Sequence, residues 1–284
     1  MTEFLRGAPV AAALTDDAAP RVAALVARGV TPTLAIVRVG ERPDDLAYER
    51  AALKRCDRLG IAVRLLGFPD DVSTEALLGA IERVNGDATV HGCLIMRPLP
   101  PQVDEAALCA ALDPAKDVDG VTAGSLYGVF SGRELGFPPC TAAAVLAILD
   151  HYGYGLEGAR AVVVGRSLVI GRPVAMMLLA RNATVTLCHT RTKDLAAEVA
   201  RADLVIAAAG RAGAVGVGDL RPGQVVVDVG INWDERSRSL VGDVDPRAAE
   251  GVVDALTPVP GGVGSVTTAI LARHVIEAAE RSIA

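Results

Sequence analysis

The sequence predicts an α/β protein of two domains with mostly parallel sheets. Three observations carry this. Short β-branched runs alternate with stretches of helical spacing along nearly the whole chain, the pattern of parallel strands joined by crossover helices. The 284 residues suffice for two domains of ordinary size. One stretch, residues 161–173 (AVVVGRSLVIGRP), reads as a buried parallel strand feeding a tight turn and a helix, with Pro173 in the helix's first turn, where its missing N–H costs nothing.

In order, residues 4–30 carry apolar side chains at helical spacing (Val22, Leu25, Val26) and stop at Gly29, a C-cap. Strands are expected at 33–39, 61–67 and 91–96, and helices at 44–59, 73–85 and 103–112. Residues 113–132, rich in Gly, Asp and Ser, read as a long loop, and loops of that length in a compact domain are often functional. A helix over 142–152 follows the Phe137-Pro138-Pro139-Cys140-Thr141 turn. The alternation then resumes, with strands at 161–164, 184–188, 204–208 and 225–229 and helices at 173–181 and 194–200. Residues 257–264 (TPVPGGVG), with two prolines and three glycines, form a loop where backbone approaches something closely. The tail from 266 is helical and packs back on the first domain. The domains are therefore residues 1–139, completed by the C-terminal helix 266–284, and residues 140–265.

Composition excludes several classes. A net charge of −6 argues against bulk nucleic-acid binding, which needs a basic footprint. No apolar run reaches the roughly 18–20 residues of a membrane span. Five cysteines, an odd number without a C-x-x-C, read as reduced, buried thiols of a cytoplasmic protein. The four histidines lie too far apart in sequence for metal-ligand spacing, so no metal is expected.

The turn after the strand at 161–164 has the pattern Gly165-x-Ser167-x-x-x-Gly171 rather than G-x-G-x-x-G. Free N–H groups and the dipole at a helix start make an anion site, so the turn reads as the phosphate-binding element of a dinucleotide fold. A glycine-rich turn after an apolar strand is also often purely structural.

Beyond this point the strings agree with one another. VGRSLVIGRP, ATVTLCHTRT, VVVDVGIN, VGDVD and TPVPGGVG, together with KDVDG, RPLPP, PPCT and the VG…Y…K region at 39–54, resemble the bifunctional methylenetetrahydrofolate dehydrogenase/methenyltetrahydrofolate cyclohydrolase family over essentially the whole chain. The resemblance implies an N-terminal α/β catalytic domain, a Rossmann-like dinucleotide-binding domain, a cleft between them, and a homodimer. It implies two reactions: hydride transfer from the methylene bridge of a tetrahydrofolate derivative to a nicotinamide, and hydration of the methenyl product to formyl-tetrahydrofolate. Tyr48 matches the family Tyr that packs against the folate, and Asp119 the family Asp that hydrogen-bonds the pterin; these are the candidate catalytic residues. A loop Asp such as Asp119 also commonly serves an Asx-turn. Met96, Leu99, Pro260, Gly261 and Gly262 complete the candidate folate contacts. Gly165, Arg166, Ser167, Gly171 and Ile231 are the candidate cofactor contacts. His189-Thr190-Arg191 ends the second Rossmann strand without an acid for a ribose 2′-hydroxyl, so Arg166 and Arg191 point to the 2′-phosphate of NADP.

The chain departs from the family where the second reaction is served. The family Lys four residues after the Tyr is Ala52 here, and the family Gln is Met96, followed by Arg97 where the family usually has Leu. Lys54, six residues on, lies about 120° round the helix from Tyr48. Arg55 shares the face of Tyr48 but is too basic to shuttle a proton. The expectation is a dehydrogenase with weak or absent cyclohydrolase activity. Two other readings stay open: a diverged paralogue acting on another one-carbon carrier, and a non-catalytic nucleotide-binding partner.

Overall fold

The structure, a computed structural model, describes residues 1–235 and 237–283. Its elements are β1 (Glu3–Phe4), α1 (Gly7–Ala27), β2 (Thr33–Val39), α2 (Pro43–Leu59), β3 (Ala62–Phe68), α3 (Thr74–Gly86), β4 (Gly92–Ile95), α4 (Glu105–Ala111), α5 (Ala123–Ser131), α6 (Cys140–His151), β5 (Arg160–Val164) and α7 (Gly171–Ala180). There follow β6 (Thr184–Cys188), α8 (Leu195–Ala200), β7 (Leu204–Ala207), β8 (Val225–Asp228), β9 (Asn232–Asp234), β10 (Ser239–Val241), α9 (Pro246–Ala249), β11 (Ala255–Leu256) and α10 (Thr267–Arg281). Local signals account for many boundaries. Pro43 opens α2 with Asp44 and Asp45 in its first turn, and Gly60 closes it at φ 74°, the left-handed cap. The Ser73 hydroxyl accepts the Ala76 N–H at 3.2 Å and starts α3.

The chain divides into two compact units, giving the two-domain α/β architecture with parallel sheets that the alternation predicts. One unit holds residues 13–140 and the chain from 268 onward. Its sheet has the order β3-β2-β4, all parallel, with β2 central. Val37, Leu77, Ile81, Ile95 and Leu108 are among the side chains that fill its core. The C-terminal helix is tied to this unit: Arg21 pairs with Glu280 at 2.6 Å, and His274 Nδ1 meets the Val118 carbonyl at 2.9 Å.

The other unit holds residues 1–12 and 141–267, around a six-stranded parallel sheet in the order β1-β11-β8-β7-β5-β6. Here the structure differs from the expected boundary, which placed the first residues in the catalytic domain. Glu3 and Phe4 pair in parallel with Ala255 and Leu256, so the chain begins as the edge strand of the second sheet. Two-residue strands carry no periodicity, which is why neither β1 nor β11 shows in the sequence.

The expected loop at 113–132 is also more ordered than its composition suggests. It holds a short 3₁₀ turn at Pro114–Lys116 and then α5, whose start is capped by the Thr122 hydroxyl and whose end is Gly132 at φ 69°. Glycines inside α5 masked its apolar spacing, although Thr122 and Gly132 are ordinary helix punctuation. Among the described residues no helix is long and apolar enough to cross a membrane.

Candidate active site

In the second unit, β5 ends at Val164 and delivers Gly165 at φ 130°, where a Cβ would collide with the Ala208 carbonyl. A Cβ on Gly171 would in turn collide with the carbonyl of Gly165. Both glycines are therefore demanded by backbone approach. The Ser167 hydroxyl accepts the N–H groups of Ile170 at 3.1 Å and Gly171 at 3.4 Å, so it caps α7 from within the turn. Beside this turn lies a cavity of about 250 Å³, lined by Gly165, Arg166, Ser167, His189, Thr190 and Arg211 among others. Arg191 is exposed, its N–H donating to His189 Nδ1 at 3.0 Å, and the second cation of the lining is Arg211. Sequence reasoning missed Arg211. Its signal is its place after Ala209-Gly210 at the carboxyl end of β7, where open α/β sheets bind ligands. Asp243, fully buried, accepts the N–H groups of Gly210 and Arg211, each at 2.8 Å, and so sets this loop.

A second cavity of the same unit, about 230 Å³, brings Ile231 together with Pro260, Gly261 and Gly262, alongside Asp228 and Leu240. The Gly7 N–H at the start of α1 donates to the Gly261 carbonyl at 2.8 Å. Asp228 accepts three backbone N–H groups, from Gly230, Asp243 and Val244, each at 2.9 Å. Burial nevertheless pushes its carboxyl up to about 6, the donated hydrogen bonds opposing and the charge of Asp243 assisting.

In the first unit, the Lys116–Gly120 segment shows a division of labour. Lys116 Nζ donates to the carbonyls of Val84, Asn85 and Asp87 at 2.6–2.9 Å, closing the end of α3. Asp117, fully buried, accepts Val121 N–H at 3.0 Å and Thr122 N–H at 2.7 Å. The Asx-type role weighed for Asp119 thus falls to Asp117. Asp119 is half-buried, and the Cys140 thiol near it donates to the Val118 carbonyl at 3.2 Å. Burial pushes its carboxyl up to about 6, with Arg97 pulling it down and Asp117 pushing it up. Cys140 in turn is a buried thiol held well above its ordinary range, chiefly by burial.

Tyr48 is half-buried on α2, and on the same helix Ala52 is buried, Lys54 exposed, and Arg55 donates to Thr15 Oγ1 at 2.6 Å. The neighbouring Glu49 is buried against Arg38, Nε to Oε2 2.8 Å. Met96 is buried at the end of β4, its N–H on the Val37 carbonyl at 2.9 Å. Leu99 is half-buried, packed on the core of the unit, with its N–H toward Glu105 Oε2 at 3.5 Å. Among the described residues, no group of three or more His, Cys, Asp or Glu side chains is placed to hold a metal ion.

Comparison with known proteins fits both units. Residues 5–119 match the family described as "Tetrahydrofolate dehydrogenase/cyclohydrolase, catalytic domain", and residues 139–283 its NAD(P)-binding domain. The chain is 48% identical to the bifunctional protein FolD of Carboxydothermus hydrogenoformans, over 99% of this chain and 98% of that one. It belongs to the tetrahydrofolate dehydrogenase/cyclohydrolase family. The FolD of Clostridioides difficile is 47% identical over 97% of this chain and 96% of its own. The crystal structure of the bifunctional enzyme FolD from Campylobacter jejuni has a TM-score of 0.95, with 35% identity over 99% of both chains. That of Trypanosoma brucei FolD, complexed with NADP cofactor and inhibitor, has a TM-score of 0.90, with 33% identity over 99% of this chain and 98% of that one. Ala52, Met96 and Arg97, the positions where the sequence reading expects a departure from the family pattern, all lie in the first unit.

Proposed function

We propose that this protein is an NADP-dependent methylenetetrahydrofolate dehydrogenase of one-carbon metabolism in which cyclohydrolase activity is weak or absent. The observation that carries the dehydrogenase assignment is the cradle at Gly165 and Gly171. A side chain at either glycine would collide with backbone, and Arg166 and Arg211 line the cavity beside them. A dinucleotide phosphate fits such bare backbone at the start of a helix. When bound, the nicotinamide supplies the hydride acceptor. The chain's own task is to orient two ligands, which contributes much of the barrier reduction in such a transfer.

In this reading Gly165, Arg166, Ser167, Gly171 and Ile231 hold the cofactor, and Arg166 with Arg191 receives the 2′-phosphate. Tyr48, Met96, Leu99, Pro260, Gly261 and Gly262 contact the folate. Asp119, ionised above about pH 6, accepts N–H groups from the pterin edge. A weak or absent cyclohydrolase follows from the side chains on α2 and β4. Hydration of a methenyl carbon needs a group that moves a proton to and from water. Ala52 and Met96 offer none, Lys54 is exposed, and Arg55 is engaged with Thr15. The reading includes assembly as a homodimer. Exposed apolar side chains on the β9–β10 hairpin, Trp233 and Leu240, support it, and light scattering of the purified chain checks it.

The direct test is turnover of methylenetetrahydrofolate with NADP or NAD. The expected result is methenyl product with kcat/KM higher for NADP. No product with either cofactor would overturn the assignment in favour of another one-carbon carrier or a non-catalytic nucleotide-binding role.

A further inference from the structure

Arg97 is the one member of the departing set that brings chemistry rather than removing it. Its Nη1 pairs with Glu105 Oε1 at 3.2 Å, while its Nε–H is buried and has no hydrogen-bond partner among the described residues. A buried guanidinium donor left unpaired costs free energy, so a ligand acceptor that meets it when the half-buried side chain turns outward is worth more than one met in water. Backbone register places it close to Asp119. The parallel bridge between Cys93 and Asp117 runs the 117–119 segment alongside β4, so that Asp119 sits level with the end of β4 and Arg97 lies just beyond. The two charges influence each other, yet among the described residues the ion pair of Arg97 is with Glu105, not with Asp119. A carboxylate and a guanidinium thus stand near one another without pairing to each other, with Glu105 steadying the guanidinium through another nitrogen.

Side by side, these groups present acceptors next to a donor. The complementary ligand edge has N–H donors next to a carbonyl. A 4-oxo pterin has that edge in its 2-amino group, its ring N–H and its 4-carbonyl. Resting on the folate reading above, we infer that Arg97 is a specificity-determining residue that donates through Nε to the 4-carbonyl of the pterin while Asp119 accepts from the amino and ring N–H groups. Arg97 thereby supplies a polar contact on the strand end where the family Gln is replaced by Met96.

The experiment compares binding of tetrahydrofolate with that of its 2,4-diamino counterpart, which offers a donor where the carbonyl stood and has no N–H on the adjacent ring nitrogen. The full chain is used as wild type, Arg97→Leu and Arg97→Lys. The wild type is expected to favour the 4-oxo ligand by about ten- to a hundredfold, the worth of one buried hydrogen bond involving a charged group. Arg97→Leu is expected to reduce that preference by about tenfold, the remainder coming from the ring N–H that Asp119 loses in the diamino ligand, with the KM for NADP unchanged as a check of folding. A second readout is the acid limb of folate binding. The groups facing Asp119 are Arg97, Asp117 and the Cys140 thiol. Loss of Arg97 is expected to move the limb to higher pH, and Arg97→Lys to return it while recovering only part of the discrimination, since an ammonium has no Nε fork. Discrimination that is undiminished in Arg97→Leu, or is absent from an active wild type, overturns the inference. A wild type that turns over no folate overturns the functional reading instead, and the two failures are told apart in the same set of assays.

Discussion

Replacement of Asp119 by Asn tests the pterin-reading role. The substitution keeps the size of the side chain, removes the charge, and turns one acceptor oxygen into a donor that faces an N–H. Losing one to two hydrogen bonds to a charged group costs about 2–4 kcal/mol, which corresponds to a rise of about 30- to 1,000-fold in the KM for methylenetetrahydrofolate. The KM for NADP should be unchanged, because Asp119 and the glycine cradle belong to different compact units. The pH profile gives an independent magnitude. Burial raises the Asp119 carboxyl from 3.8 to about 6. Only the ionised form accepts both N–H groups, so the competent fraction falls from about nine-tenths at pH 7 to about one-tenth at pH 5, a tenfold loss in kcat/KM. An unshifted carboxyl would lose almost nothing over that range. Initial rates of methenyl formation between pH 5 and 8, for wild type and Asp119→Asn, measure both quantities. A KM for the folate within threefold of wild type, or an acid limb that survives in Asp119→Asn, would refute the assignment.

Other perturbations follow from the same geometry. Gly171→Ala drives a Cβ into the Gly165 carbonyl, so a stability loss of about 1–3 kcal/mol is expected by denaturant melt, together with weaker NADP binding. Arg166→Ala is expected to raise the KM for NADP more than that for NAD, since only the former carries a 2′-phosphate; steady-state kinetics with both cofactors check it. Ala52→Lys combined with Met96→Gln is expected to accelerate methenyl decay above wild type, followed spectroscopically, while dehydrogenase turnover persists. His274 is buried, and desolvation lowers its pKa from 6.5 to about 3. The unfolded chain then binds a proton that the fold refuses, so stability should fall as pH drops below 6.5, by up to about 1.4 kcal/mol per pH unit. Urea melts at pH 7, 6 and 5 should show this slope, and His274→Gln should flatten it.

The parallel sheets and the dinucleotide turn were legible because long β-branched runs ending in Gly165 leave few alternatives to a strand, a tight turn and a helix. Less legible were features made by pairing rather than by pattern. β1 exists because Glu3 and Phe4 find Ala255 and Leu256 about 250 residues away. α5 hid behind its glycines, and the β9–β10 hairpin behind its mixed polarity. Among the site residues, the motif strings carried Gly165, Tyr48 and Asp119. They did not reveal that Asp117 takes the turn's N–H groups, that Asp243 holds the loop bearing Arg211, or that Arg97 keeps a buried donor without a partner among the described residues. Each of these depends on which atoms face one another after folding, and a linear spacing does not encode that.

The proposal is a dehydrogenase whose cyclohydrolase activity is weak or absent. One cuvette tests it most directly: protein, methylenetetrahydrofolate and NADP, with the methenyl absorbance followed through formation and decay. Methenyl product is expected to accumulate and then to decay no faster than in buffer. Enzyme-dependent hydrolysis of that product would contradict it, and would require another side chain to activate water in the place of Ala52 and Met96.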